Sequence, residues 1–117
     1  MPERNLNLLQ GTLNLLVLKA LVFGPRHGYA VAAWVRETTG GTLAVEEGAL
    51  YTALHRLAKR GWVESEWGLS ENNRQARYYA LTPEGRRAMR AEASAWTRYA
   101  EAVFMVLKAA QSAETAA

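Results

Sequence analysis

Five side chains that can donate hydrogen bonds or carry positive charge crowd into one short stretch. Tyr51, Thr52, His55, Arg56 and Lys59 all lie within VEEGALYTALHRLAKRG. A phenol, a hydroxyl, an imidazole, a guanidinium and an ammonium at this spacing suit the base edges and phosphates of duplex DNA. Two more arginines, Arg74 and Arg77, follow in a polar stretch. The parts of an enzyme are missing from the same inventory. The two histidines, His27 and His55, fall on different predicted elements, and no serine stands beside a base. No glycine-rich phosphate loop follows a strand, so neither catalysis nor a cofactor or metal is expected.

The spacing around these residues predicts a helix. Leu50, Ala53, Leu54, Leu57 and Ala58 fall on one face; Gly48, Thr52, His55 and Lys59 fall opposite, flanked by Tyr51 and Arg56. Half of such a helix is core and half is display. Glu46 and Glu47 stand at the positive end of its dipole, Lys59 and Arg60 at the negative end. Gly61 supplies the stop. Any amphipathic surface helix shows a polar face of this kind, so the reading rests on what surrounds it.

After Gly61, the run Trp62 to Trp67 alternates, with Val63, Ser65 and Trp67 on one side and Trp62, Glu64 and Glu66 on the other. Ala76 to Leu81 is its expected partner, with Tyr79 and Leu81 sharing a face, and the link GLSENNRQ is turn-forming. Arg74 and Arg77 stand at and just beyond the hairpin tip, where solubility alone would accept any polar residue.

Upstream, Leu9 to Phe23 reads as a helix, with Leu13, Leu16, Val17, Ala20 and Leu21 toward a core. Leu15, Leu18 and Val22 cannot all share that face, so the helix needs a second partner, and a second subunit is a candidate. Gly24-Pro25 ends it. Gly28 to Thr39 is a second helix, contributing Tyr29, Val31, Ala32, Trp34 and Val35, with His27 capping or packing its start. Gly40-Gly41 closes it, and 42–45 is a candidate single strand.

Thr82-Pro83-Glu84 opens a last helix with a hydroxyl cap and an N1 proline. Met89, Ala93, Trp96, Ala100, Val103, Leu107 and Ala110 then recur at alternating four and three residues, a coiled-coil-like seam. About 28 residues, or roughly 42 Å, exceed what a small domain covers alone. Part of the seam is expected on the first helix and the rest in a dimer interface.

The 117 residues bound one folding unit of three expected parts: 1–82 as a DNA-binding domain, 83–110 as a dimerisation helix, and 111–117 as a disordered tail. The net charge is +3, and from Glu46 to Arg90 eight Lys/Arg face six acids. Without cysteine there is no disulfide or thiolate metal site, which suits a reducing cytoplasm. The apolar run Leu13 to Phe23 is shorter than the about 20 residues a bilayer needs, so no membrane partner is expected.

The order helix, helix, short strand, helix, two-stranded wing gives the fold class: mainly α with a small β-hairpin, a winged helix-turn-helix plus a long C-terminal helix. The stretches LLQGTLNLLVLKAL, HGYAV, VEEGALYTALHRLAKRGWVESEWG and NRQARYYALTPEGR resemble the PadR family of bacterial transcriptional regulators, in the small subgroup with one C-terminal helix. The resemblance implies DNA-facing Tyr51, Thr52 and His55, a basic wing group at Arg74 and Arg77, and a homodimeric repressor. Such a two-fold dimer calls for double-stranded DNA carrying an inverted-repeat operator. Ala49 and Ala58 depart from the Ser or Thr and the acid common there. In the seam, Ala93 and Ala100 leave room beside Trp96, either for close helix packing or for a candidate pocket between subunits, lined by Trp96 and its symmetry mate with Leu15 and Leu18, that takes a small hydrophobic, aromatic or planar cationic effector. A winged-helix protein-interaction module without DNA binding is the rival reading.

Overall fold

Leu50, Leu54 and Leu57 are withdrawn from solvent almost completely, and the other elements are arranged to cover them. The structure, a computed structural model, describes residues 11–110. The Leu9 end of the first helix and the expected tail 111–117 lie outside the described residues. Four helices, α1 (Thr12–Ala20), α2 (Gly28–Thr38), α3 (Glu47–Lys59) and α4 (Pro83–Lys108), accompany three strands, β1 (Arg26–His27), β2 (Val63–Leu69) and β3 (Gln75–Leu81). The strands form one antiparallel sheet in the order β1-β3-β2. The architecture is a winged helix-turn-helix with a long C-terminal helix. One core joins Val17, Leu18 and Leu21, Val31, the α3 leucines, Val63, Tyr79 and Met89.

The two helices of the helix-turn-helix stop in the same way. After α2, Gly40 adopts φ +59°, its N–H reaches Glu37 O at 3.2 Å, and the Gly41 N–H reaches Arg36 O at 2.8 Å. After α3, Gly61 adopts φ +80°, with Gly61 N–H to Ala58 O at 3.0 Å and Trp62 N–H to Leu57 O at 3.1 Å. This pair of bonds satisfies the last helical carbonyls and turns the chain through a left-handed residue that favours glycine. At its start α2 is capped by His27, whose Nδ1 accepts the Ala30 N–H at 3.1 Å.

The start of α4 is tied to the end of α3. Thr82 Oγ1 accepts the Gly85 N–H at 3.0 Å and donates to Gly61 O at 2.7 Å, while the Thr82 N–H donates to Trp62 O at 3.1 Å. Gly85 lies so close to this carbonyl that a Cβ there would overlap Trp62 O.

Several expectations are corrected. No strand forms over 42–45; Leu43 is a single bridge residue, and its N–H is held by Thr39 Oγ1 at 3.0 Å. The third strand is instead β1, two residues long. α1 ends at Ala20 rather than Phe23, because the chain tightens into turns at Leu21 and Val22 and the Arg26 Nε takes the Ala20 carbonyl at 2.9 Å. Leu18 is buried in the core and Leu16 only partly buried; Tyr29 and Ala58, expected inside, are exposed. The hairpin strands run further toward the tip than expected, so the tip contracts to residues 70–74; Arg77 lies within β3, as it does in the expected strand Ala76 to Leu81. α4 ends at Lys108, two residues short of the expected Ala110.

Replacing Gly85 by Ala is expected to destabilise the fold by about 1–3 kcal/mol, the cost of forcing a methyl into packed backbone. Gly48→Ala, where a methyl meets open space, is expected to be neutral or stabilising by up to about 1 kcal/mol. Urea denaturation of the two variants checks the contrast.

Candidate nucleic-acid interface

The exposed side of α3 follows from its buried side. Leu50, Ala53, Leu54 and Leu57 fix the rotation of the helix, which leaves Thr52, His55, Arg56 and Lys59 exposed and Tyr51 at the margin, 42% accessible. The sequence-derived set on this helix is therefore brought together on one face. Gly48 and Ala49 at its first turn are also exposed and carry no bulk that would hold a groove surface away.

Two of these side chains are held from outside the helix. Arg56 Nη2 donates to Asn14 Oδ1 of α1 at 2.9 Å, which ties a cation of the display face to the first helix. Tyr51 leans on the start of α2: a Cβ at Gly28 would stand 2.6 Å from the Tyr51 hydroxyl. Burial raises the Tyr51 phenol above its ordinary value of 10.0, and neighbouring Tyr79 and Glu47 add to the shift.

The wing supplies the remaining cations. Its tip turns through Asn73 at φ +62°, with the Ser70 N–H donating to Arg74 O at 2.8 Å and the Asn73 N–H to Ser70 O at 2.9 Å. Arg74 is exposed at this turn. Arg77 stands directly opposite Trp67 in the β2–β3 register, with its guanidinium 5.1 Å from the ring centroid.

A second feature lies between α1 and α4. A groove of about 400 Å³ is lined by Leu15, Leu16 and Lys19 on one side and by Met89, Arg90, Ala93, Trp96 and Thr97 on the other. Trp96 and Leu15, expected in a pocket between subunits, line this groove within one chain; Leu18 does not, being turned into the core. Lys19 and Arg90 were missed. Lys19 follows Leu15 by four residues and Arg90 precedes Ala93 by three, so helical spacing could have found both. The seam itself divides. Met89 is buried within its own chain and Ala93 packs on the same core, whereas Trp96, Val103 and Leu107 are exposed; Ala100 is partly buried.

A core-fixed helix displaying hydrogen-bonding groups and cations beside an arginine-bearing β-wing defines a winged helix-turn-helix protein. A family profile described as transcriptional regulator PadR-like matches residues 17–91, and the chain belongs to this family of regulators. It is 41% identical over 90 residues to a 37.1 kDa protein in a Streptomyces fradiae transposon, a match covering 77% of this chain and 24% of that protein. The chain thus spans about a quarter of that relative's length. A transcriptional regulator from Clostridium thermocellum superposes with a TM-score of 0.76 at 27% identity, covering 85% of this chain and 93% of the other. Bacillus subtilis PadR in complex with operator DNA shares the fold, with a TM-score of 0.61 at 20% identity over 68% of this chain and 45% of that one. Among the described residues no helix is long and apolar enough to cross a membrane.

With its folded-state pKa raised, the Tyr51 phenol contributes stability that is present below pH 10 and lost as pH rises through the raised value. Tyr51→Phe is therefore expected to be less sensitive to alkali than the wild type. In Gly28→Ala the displaced ring should titrate closer to the ordinary value. Ultraviolet absorbance titration of the three proteins checks both; a wild-type Tyr51 titrating at or below 10 overturns the expectation.

Proposed function

We propose that this chain binds duplex DNA as a homodimer and represses transcription from an inverted-repeat operator. The observation that carries the reading is the display face of α3, held in orientation by four buried residues and presenting Thr52, His55, Arg56 and Lys59 outward with Tyr51 at its edge. That a family member has been crystallised with operator DNA supports it. In this reading the helix reads base edges while Arg74 and Arg77 hold backbone phosphates. The winged-helix protein-interaction module is the rival, and salt-dependent affinity for duplex DNA separates the two.

Dimerisation is supported by the outer half of α4. Phe104, Met105, Val106 and Leu107 are each more than half exposed, an apolar surface unusual for an isolated small protein. In the proposed division of the chain, residues up to 82 bind DNA and α4 from Trp96 outward pairs subunits through Trp96, Ala100, Val103 and Leu107. Ala93 remains within the intramolecular half of the seam.

Each phosphate contact contributes about 0.9 to the slope of log affinity against log salt, so Arg74→Ala or Arg77→Ala should lower that slope by about 1 and weaken all sequences alike. Inserting half a helical turn between half-sites should nearly abolish binding, because a two-fold dimer presents its helices about one turn apart. Fluorescence anisotropy across a salt series measures both. An unchanged slope in the double arginine variant removes the wing from the interface, and tolerance of the insertion argues for independent monomers.

The proposed effector is a small aromatic molecule stacked on Trp96 in the α1–α4 groove. Lys19 and Arg90, the charged residues lining it, favour a planar aromatic carrying a carboxylate over the planar cation that the sequence alone also admitted. Such a ligand releases DNA only by binding the non-operator geometry of the dimer more tightly. Titration with benzoate-type and cationic dyes should quench tryptophan emission for the anions in the wild type and lose that quenching in Trp96→Ala. Equal quenching without Trp96 places the ligand elsewhere.

A further inference from the structure

Trp67 is a large aromatic residue with no place in the core, and its position in the wing assigns it a task. Along β2 the side chains of Val63, Ser65 and Trp67 share one face, and in register they oppose Leu81, Tyr79 and Arg77 of β3. At the base this face is core: Val63 and Tyr79 are buried against the helices. Two residues further out the same face leaves the core behind, and Trp67 is 61% exposed. An indole there gains little from burial, and polar residues would serve a free hairpin better.

What the indole does meet is Arg77. The guanidinium carbon lies 5.1 Å from the ring centroid, and the two residues are direct cross-strand partners, so the backbone itself holds them together. Stacking occupies the face of the guanidinium and leaves the N–H donors around its edge free, whereas a carboxylate partner would consume them. The strand under Trp67 is stiffened from the opposite face. The Tyr78 hydroxyl donates to Leu69 O at 2.9 Å, and the Tyr78 ring lies over Gly68, where a Cβ would stand 3.0 Å from it. The wing is thus braced on one face and carries a stacked cation on the other.

We propose that Trp67 is a positioning residue for DNA binding: its indole is a plate that holds Arg77 extended on the helix-facing side of the wing, edge donors outward, toward a backbone phosphate. This rests on the reading of the wing as a DNA contact. The plate restricts the rotamers that a free arginine would lose on binding, so its removal weakens the contact without touching the nucleic acid itself.

The experiment measures operator affinity over a salt series for Trp67→Ala, Trp67→Phe, Arg77→Ala and the Trp67→Ala/Arg77→Ala pair, with urea denaturation of each variant. An exposed cation–π contact is worth about 0.5–1 kcal/mol, so Trp67→Ala should lose about two- to five-fold in affinity. It should also flatten the salt slope toward that of Arg77→Ala. The double variant should bind no worse than Arg77→Ala, and Trp67→Phe should restore most of the loss. Full affinity and full slope in Trp67→Ala, while Arg77→Ala loses both, overturns the proposal and leaves the wing reading intact. Losses that add in the double variant also overturn it, because Trp67 would then act independently of Arg77. No change of slope in Arg77→Ala removes Arg77 from the phosphate contacts and the proposal with it, whereas an unchanged slope in the Arg74→Ala/Arg77→Ala pair overturns the wing reading itself. A structural defect would appear as lower urea stability with an unchanged salt slope, and this too overturns the positioning role.

Discussion

The structure depends on the burial of one face of α3. Leu50, Leu54 and Leu57 belong to one core with residues from α1, α2, the sheet and α4, and α3 itself packs against α1, α2 and β2. Full burial of each leucine is worth about 1.5–3 kcal/mol, a large share of the marginal stability of a chain this size. The same contacts that stabilise the fold set the rotation of the helix about its axis. Sliding the stripe by one residue would turn the display face by about 100°, carrying Thr52 and His55 out of register with the wing. Stability and presentation of the polar face are therefore one constraint.

A second constraint is the junction between α3 and α4. The Trp62 carbonyl accepts the Thr82 N–H, Thr82 bridges to the Gly61 carbonyl, and Gly85 has no Cβ because the Trp62 carbonyl occupies its space. The hairpin leaves and returns through this point, so the wing projects from the end of the display helix at a fixed base. The direction of α4 is fixed by the same bonds. The wing and the long helix are two levers anchored at one place.

Much of this was legible in the sequence. The α3 pattern, the Gly61 stop, the hairpin alternation and the Thr82-Pro83 start are local signals that tertiary packing had no reason to override, and all four elements formed. The failures have physical causes. β1 is two residues long and carries no alternation; it exists because the outer edge of β3 is available to it, a fact about the fold rather than about Arg26 and His27. The expected strand at 42–45 has the right residue types but no ladder, and the Thr39 hydroxyl claims the Leu43 N–H instead. In α1 six of the nine residues are apolar, too many for one stripe, so periodicity does not choose which leucines face inward, and Leu18, expected in a pocket between subunits, lies in the core instead. The charges of the groove, Lys19 and Arg90, lie beside the apolar seam rather than in it, so the spacing of the seam does not mark them. Trp67 was read correctly as sharing a face with Val63, but its exposure depends on where the core ends, which alternation cannot tell.

The division of α1 between two surfaces gives the molecule its mechanical logic. Val17 and Leu18 pack into the core that holds α3, while Leu15, Leu16 and Lys19 of the same nine-residue helix line the groove against α4. Asn14 adds a polar link, accepting a hydrogen bond from Arg56 on the display face. A close-packed interior does not absorb the shift of one helix within side-chain slack, because its contacts have a few discrete arrangements rather than a continuum. A shift of α1 against α3 must therefore move the leucine stripe of α3, break the Asn14–Arg56 bond, or do both. α1 thus touches both the groove and the display helix directly, with nine residues between a left-handed Gly11 and the Arg26-capped Ala20 carbonyl.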